Sequence, residues 1–287
     1  MLIFNHMKLF TILLLICLSN TYAASVREGS VEVELVSSVN CVSPGETIDI
    51  ALRIKHDKGW HTYWKSPGIV GVPTGIDWKL PNDIEVSNIM WPQPQNVKMG
   101  PYNAYGYNGE IFLIMQLKVS AKAKPESSQL LKARASWMCC SKTCQPGFAD
   151  LILPIKISNQ KKVATSWSTL IKKSKASFPV PLKEYKTEAI RSGKELTLHL
   201  IPASKKQINF PKSLQFFSSD GLIHSDVKQT VKKLKNGSIQ MVMSISEFGP
   251  KNQNILEGIL YSKGGYDESS NMRPYLVKTN INSKTQS

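Results

Sequence analysis

Apolar and polar residues alternate at every second position over much of the chain. The run S-V-E-V-E-L-V at residues 30–36 has this pattern, and E-T-I-D-I-A-L-R-I-K at residues 46–55 repeats it after the turn signal Ser43-Pro44-Gly45. A period of two places the apolar side chains on one face of a β-strand. Further runs of this kind are separated by clusters of Pro, Gly and Asn. Short strands with regular turns predict a β-sandwich over residues 25–158.

A helix and a second, smaller β-domain are predicted to follow the sandwich. Apolar residues at near-helical spacing between positions 163 and 171, with Pro179 as a stop signal, predict a helical linker over residues 159–180. Strand-like runs such as K-E-L-T-L-H-L-I then predict a β-domain over residues 181–280. Residues 281–287 end in the polar run N-S-K-T-Q-S and are predicted to form a disordered tail. The predicted fold class is therefore all-β with one connecting helix.

The amino terminus has the organisation of a secretory signal peptide. A short basic start at Lys8 precedes an apolar run and a small-residue exit, N-T-Y-A-A-S. We expect cleavage after Ala23, which would remove residues 1–23 and Cys17 with them. The apolar run is too short for a comfortable transmembrane helix. The mature protein is therefore expected to be exported, into a compartment that permits disulfides.

The net charge of +15 comes mainly from lysines in the second half of the chain. A solvated basic surface explains this excess most simply, and weak contact with an acidic membrane surface is the alternative. Nucleic acid is not an expected partner, because the basic half is poor in aromatic residues and has no recognised binding motif. The sequence has no Ser-His-Asp arrangement, phosphate loop or paired-carboxylate signature, so hydrolase and kinase chemistry is not predicted.

Three cysteines lie close together in the run S-W-M-C-C-S-K-T-C-Q-P. The flanking runs are strand-like, so Cys140 and Cys144 are predicted at the tip of a hairpin, near enough to form a disulfide. Closing so small a ring stabilises a fold by only about 2 kcal/mol. A closely spaced pair beside Lys142 suits reversible redox chemistry better. A purely structural disulfide is the alternative.

Two further cysteines have less obvious roles. Adjacent residues on a strand face opposite sides, so only one of Cys139 and Cys140 can readily face Cys144. Four cysteines allow three pairings. The preferred one makes Cys140–Cys144 the redox pair, with Cys41 and Cys139 either bridged to each other or free and buried.

Several motifs occur in order along the first half: G-W-H-T-Y-W-K-S-P-G, G-V-P-T-G-I-D-W-K-L-P, M-W-P-Q-P, Y-G-Y-N-G-E-I-F-L and the cysteine run. Over residues 31–157 they resemble the amino-terminal periplasmic domain of the DsbD/ScsB thiol:disulfide interchange proteins, and most of all the ScsB-like (suppressor of copper sensitivity) branch. The resemblance implies an immunoglobulin-like sandwich. It also implies a cysteine pair, Cys140 and Cys144, that takes electrons from a membrane-embedded partner and passes them to periplasmic thioredoxin-fold proteins.

The resemblance further implies an aromatic cover over the disulfide. In relatives, a loop carrying Tyr or Phe shields the sulfurs until a partner arrives. The matching segment contains Tyr102, Tyr105 and Tyr107, with Tyr105 as the expected shielding ring, and His61 and Tyr63 are expected to line the site. A turn with packing tyrosines is the alternative.

Full-length relatives continue into a membrane domain and a thioredoxin-like domain, whereas this sequence ends at Ser287. We therefore expect a membrane thiol:disulfide transporter on a separate chain as electron donor, and a relay component of the protein-disulfide reductase type that needs no cofactor or metal. Two other functions stay open. One is a Cu(I)-binding copper-tolerance module using Cys139, Cys140, Cys144 and His61, and the other is a noncatalytic interaction module.

Overall fold

The computed structural model describes residues 24–203, 210, 214–262 and 273–283, so the predicted signal peptide lies outside the described residues. The first part of the chain forms the strands β1 (Val26–Glu28), β2 (Val31–Ser37), β3 (Cys41–Val42), β4 (Thr47–His56), β5 (His61–Tyr63), β6 (Gly75–Lys79), β7 (Ile84–Val86), β8 (Gln95–Met99), β9 (Tyr102–Asn108), β10 (Glu110–Val119), β11 (Ser127–Cys140) and β12 (Cys144–Ile157). The helix α1 (Ser168–Ala176) follows. The last part forms β13 (Val180–Pro181), β14 (Tyr185–Ser192), β15 (Glu195–Pro202), β16 (Leu214–Ser218), β17 (Thr230–Lys233), β18 (Ile239–Ser244), β19 (Ile255–Ser262) and β20 (Tyr275–Ser283).

The first two sheets form a sandwich. One has the strand order β1-β2-β4-β10-β7, and the other has the order β3-β12-β11-β5-β9-β8 with β6 beside β11. Their inner faces carry the period-two apolar residues, such as Leu35 opposite Leu52 and Leu52 opposite Leu113, all buried. Burying such a side chain contributes about 1.5–3 kcal/mol. The predicted all-β class, with an immunoglobulin-like sandwich first, is confirmed.

A long hairpin dominates the second sheet. Strands β11 and β12 pair antiparallel without interruption from Ser127 opposite Ile157 to Cys140 opposite Cys144. Every second residue of β11 enters the core, and its alternation of burial extends along most of the strand. The Trp137 side chain lies over Gly147, its cross-strand neighbour, where a larger residue would collide with the ring. The hairpin therefore ends in the cysteine pair.

The bridge considered between Cys41 and Cys139 is wrong. Cys41 in β3 pairs with Lys156 of β12, whereas Cys139 pairs with Gln145 near the other end of that strand. Because a strand rises about 3.3 Å per residue, the two thiols lie on the order of 35 Å apart. Both cysteines are free and buried, which is the alternative left open by the sequence.

The helix α1 docks on the outer face of the first sheet. Its buried residue Ile171 belongs to an apolar cluster with Ala51 and Phe112. The Lys175 amine lies 2.8 Å from the carboxylate of Asp49. Among the described residues, α-helix is thus confined to part of the predicted linker. The helix is held on the sandwich by apolar contacts of Ile171 and by the ion pair of Lys175.

The last strands form a third sheet in the order β16-β19-β20-β14-β15-β18-β17, with β13 beside β20. We call residues 180–283 the C-terminal unit. Strand β20 continues to Ser283, so the predicted disordered tail is wrong for residues 281–283, and residues 284–287 lie outside the described part. The unit provides the second β-structure expected from the sequence.

We expect Gly147→Val to destabilise the sandwich by about 1–3 kcal/mol, the usual cost of overpacking. A side chain at this position would begin 2.4 Å from the buried Trp137 ring. Urea unfolding followed by tryptophan fluorescence measures the effect, since every tryptophan lies at or before Trp167. The control is Ile152→Thr on the exposed face of the same strand, which should change stability by no more than about 0.5 kcal/mol. Equal losses in the two variants would contradict the packing argument.

Candidate functional site

Cys140 and Cys144 form a disulfide at the tip of the β11–β12 hairpin. Their sulfurs are 2.08 Å apart and their Cα atoms 4.1 Å apart. The turn between them is closed by a hydrogen bond from the Ser141 backbone N–H to the Thr143 carbonyl at 2.9 Å. Cys140 is fully buried, whereas Cys144 is exposed. The two ends of the disulfide therefore lie in different environments.

The alternation along β11 separates Cys139 from this pair. Cys139 belongs to the main core together with Trp137, whereas Cys140 belongs to a small separate cluster with Tyr63, Val97 and Ala104. Burial raises the pKa of the Cys139 thiol to about 11. Cys139 thus remains a protonated thiol at neutral pH and acts as a packing residue.

Tyr63 and the segment that follows it shield Cys140. The Tyr63 ring is fully buried in the cluster that contains Cys140, and Val70 packs against the same cluster. A Cβ added at Gly71, whose φ is +101°, would lie 2.4 Å from the Tyr63 ring. The backbone of this segment therefore lies directly against the tyrosine. We call Tyr63 and residues 67–71 the Cys140 cover.

The Tyr63 hydroxyl is buried without a hydrogen-bond partner in the described part of the chain. An unsatisfied buried hydroxyl costs about 1–3 kcal/mol. Moving Tyr63 into water would recover this free energy and would offset part of the packing lost when the cover opens. The side chain of Tyr63 is thus held in the closed position by packing alone, whereas its backbone is paired with Gly106 in the sheet.

The expected shielding ring, Tyr105, lies elsewhere. The segment around it is the strand β9 rather than a loop, so Ala104 and Tyr105 face opposite sides. Ala104 enters the Cys140 cluster, while Tyr105 enters the main core, 4.9 Å from Phe217 between ring centroids. Direct shielding by Tyr105 is therefore wrong for this structure, and Tyr63 occupies that place.

The other two tyrosines of β9 also differ in environment. Tyr107 is buried, donates a hydrogen bond to the Pro92 carbonyl at 2.8 Å and stacks with Trp91. Tyr102 is 46% exposed at the start of the strand. Neither belongs to the cluster around Cys140, so neither covers the disulfide.

His61 lies beside the disulfide, because its backbone pairs with that of Cys140. Its ring meets Tyr63 edge-on at 5.2 Å between centroids. Burial, with a smaller effect from His56, lowers the pKa of His61 to about 4. His61 is therefore neutral at neutral pH and supplies no positive charge to a thiolate.

A groove with a volume of about 750 Å³ opens next to the disulfide turn. Its lining includes His61 and Ser141 together with three exposed lysines: Lys58, Lys98 and Lys142. Asp57, also in the groove, is paired with Arg27 at 2.6 Å. The groove therefore has a basic rim and gives a polypeptide access to the turn that carries the exposed cysteine.

The cysteines considered as Cu(I) ligands do not point to a common site. Cys140 and Cys144 are bonded to each other, and Cys139 faces the main core. No three His, Cys, Asp or Glu side chains are placed to hold a metal ion in the described residues. In the same part of the chain, no helix has the length and apolar character needed to cross a membrane.

Comparison with known proteins agrees with this geometry. Residues 31–156 match the family model for the N-terminal domain of the thiol:disulfide interchange protein DsbD. This part of the chain is therefore similar to a DsbD amino-terminal domain. The Cys140–Cys144 disulfide lies within the matched range, and this supports a module of the thiol:disulfide interchange type. The chain matches no curated protein in sequence.

Solved structures extend the comparison beyond residues 31–156. The N-terminal periplasmic domain of ScsB from Proteus mirabilis has a TM-score of 0.63 and 16% identity, covering 90% of this chain and 97% of that one. This similarity shows the fold, including most of the C-terminal unit. The periplasmic chaperone SfaE (9% identity, 88% and 100% coverage) and Spo0M of Bacillus subtilis (11%, 88% and 91%) have TM-scores of only 0.25 and 0.22, which are too low to carry an argument.

Sequence reasoning missed part of the site around the disulfide. Tyr63 was expected only to line the disulfide, and the segment after it was assigned no role. The signal that points to it is the pair of glycines in K-S-P-G-I-V-G-V-P, because both Gly68 and Gly71 have positive φ. Such glycines let a segment fold back closely onto the aromatic strand before it.

The buried His61 should make the stability of the sandwich depend on pH. Its folded pKa of about 4 lies below the ordinary value of 6.5, so the unfolded chain binds more protons between these values. Stability is then lost as the pH falls from about 6.5 towards 4, by up to about 3 kcal/mol. Urea unfolding across this range should show a smaller loss for His61→Gln than for the unmodified protein. The same slope in both proteins would contradict a neutral buried His61.

Proposed function

We propose that this chain is an exported, periplasmic thiol:disulfide exchange protein whose working group is the Cys140–Cys144 pair. The observation that carries the proposal is the asymmetric disulfide at a hairpin tip of a DsbD-type domain, with one cysteine exposed and the other covered. A disulfide that only stapled this hairpin would add little, because the backbone pairing of β11 and β12 already fixes its ends.

Reduction begins at the exposed cysteine. A donor thiolate attacks the Cys144 sulfur, forms a mixed disulfide with it and releases Cys140 as a thiolate, which takes up a proton. The second thiol of the donor then attacks the donor sulfur that is bonded to Cys144. This attack releases Cys144 as a thiol and leaves the donor with an internal disulfide. Two electrons and two protons have passed to the pair.

Delivery of the electrons reverses this order. The Cys144 thiolate attacks the disulfide of an acceptor, and Cys140 then attacks Cys144 to restore the starting disulfide and release a reduced acceptor. We propose a membrane thiol:disulfide transporter on a separate chain as the donor and periplasmic thioredoxin-fold proteins as acceptors. The basic rim of the groove supports docking of such proteins, since it places charged contacts next to the turn that joins Cys140 to Cys144.

The two environments also fit the chemistry of each sulfur. Cys144 meets solvent and can be reached by a macromolecular thiol, whereas Cys140 leaves from an apolar cluster that disfavours a charge. Docking that moves the Cys140 cover would let water reach the leaving thiolate. Exchange would then be slow with small thiols and fast with a partner that opens the cover.

Single-cysteine variants test the proposal. Reduced Cys140→Ser keeps the exposed thiol and should form a stable mixed disulfide with a thioredoxin-fold protein whose remaining cysteine is activated by thionitrobenzoate. Reduced Cys144→Ser keeps the covered thiol and should form roughly tenfold less complex. Release of the chromophore and non-reducing gels measure both reactions.

The outcomes of this trapping experiment separate two statements. No complex from either variant would contradict the exchange function. Equal complex from both variants would leave exchange intact and overturn the assignment of Cys144 as the first nucleophile. Cys41→Ala and Cys139→Ala in the same background confirm that a trapped complex does not pass through the buried thiols.

A further inference from the structure

A single turn of the C-terminal unit contacts both the Cys140 cover and the strand β9, which packs beside Cys140 through Ala104. Ser225, which is buried, accepts a hydrogen bond from the Ile69 backbone N–H at 3.2 Å. The same hydroxyl donates to the Asn103 carbonyl at 3.0 Å. Ile69 belongs to the Cys140 cover, and Asn103 belongs to β9. One serine thus ties the cover and the neighbouring strand to the C-terminal unit.

The next residue strengthens this connection. Asp226 Oδ1 accepts hydrogen bonds from the Asn103 backbone N–H at 2.9 Å and from its side-chain amide at 2.6 Å. A carboxylate acceptor makes such bonds stronger than neutral pairs. Together, Ser225 and Asp226 engage the carbonyl, the N–H and the side chain of Asn103.

Close packing accompanies these hydrogen bonds. A Cβ added at Gly68, whose φ is +97°, would lie 2.4 Å from Cβ of Ser225. Only glycine therefore allows the cover to approach the turn this closely. Farther along the contact, the side-chain amides of Asn96 and Gln215 bond to each other at 2.7 and 3.1 Å. The C-terminal unit thus contacts the end of the second sheet through several separate hydrogen bonds and through close packing.

Ile69 and Asn103, which bond to the C-terminal unit, each precede a residue that packs near the Cys140 sulfur. Val70 follows Ile69 and packs on the Cys140 cluster, and Ala104 follows Asn103 and is part of that cluster. Holding Ile69 and Asn103 therefore fixes the two sides of the pocket that contains the Cys140 sulfur. If this hold is lost, the cover is restrained by the packing of Tyr63 and by the hydrogen bond from the Tyr105 N–H to the Pro67 carbonyl at 2.8 Å.

We propose that Ser225 and Asp226 are positioning residues that hold the Cys140 cover closed, so that the C-terminal unit restricts reduction of the disulfide by small thiols. This inference rests on the proposed exchange function and assigns the C-terminal unit a part in it. The physical effect is on the leaving group: with the cover closed, Cys140 must depart as a thiolate into an apolar cluster, which slows any attack on Cys144.

The test measures reduction of the mature, full-length chain by dithiothreitol. One dithiothreitol thiolate attacks Cys144 and releases Cys140, and the second closes the dithiothreitol ring, so the reagent is oxidised as the pair is reduced. Gel shifts after maleimide labelling give the rate constant. We expect it to rise about tenfold in the Ser225→Ala/Asp226→Ala double variant, because several hydrogen bonds that hold the cover are lost.

Two matched variants distinguish positioning from general loss of stability. Asp226→Asn keeps an acceptor oxygen for Asn103 and should react nearly as slowly as the unmodified chain. Asp220→Ala removes hydrogen bonds to Ser218, Leu222 and Gln253, all inside the C-terminal unit, and should leave the rate unchanged.

A rate in the double variant equal to that of the unmodified chain would overturn the inference, as would an equal rise in Asp220→Ala. Should the double variant not fold, Ser225→Ala alone removes one hydroxyl and provides the same comparison. The inference and the proposed function fail differently. If the unmodified chain exchanges with no thioredoxin-fold protein, the proposed function is contradicted. The comparison of dithiothreitol rates tests separately whether Ser225 and Asp226 hold the cover closed.

Discussion

The uninterrupted pairing of β11 with β12 is the constraint on which the rest of the site depends. Fourteen residues of each strand pair in one register, and that register ends with Cys140 directly opposite Cys144. A shift by one residue would turn every side chain of the hairpin to the other face and place Cys139 where Cys140 now lies. The apolar inner face of the sandwich prevents this shift, so core packing determines which sulfur can react.

From this register follows the difference between the two ends of the disulfide. Cys140 is still within the sheet, beside His61 and beneath the Cys140 cover, whereas Cys144 begins a strand that starts in solvent. A nearby positive charge does not create the difference, because His61 is neutral. The two cysteines differ instead in their access to solvent and in the desolvation of the sulfur. The C-terminal unit holds the cover from outside, which connects the second half of the chain to the chemistry of the first.

Much of this could be predicted from the sequence. Period-two alternation gave the sandwich and the hairpin, and the cysteine spacing gave the disulfide. The position of Tyr105 could not be predicted in the same way. Its segment was expected to be a loop, but it forms the strand β9, and this strand directs the Tyr105 side chain into the core. Pairing of Cys41 with Cys139 failed because distances across a sheet depend on strand order. The contacts of Ser225 have no local sequence signal at all, as they join segments far apart in the chain.

The reduction potential of the Cys140–Cys144 pair tests the central claim most directly. It is obtained by equilibrating a Cys41→Ala/Cys139→Ala protein in glutathione buffers of graded composition and counting free thiols. A working exchange pair should have a potential of roughly −200 mV, within the range of periplasmic and endoplasmic exchange partners. A potential below about −300 mV would mark a permanent structural disulfide and contradict the account.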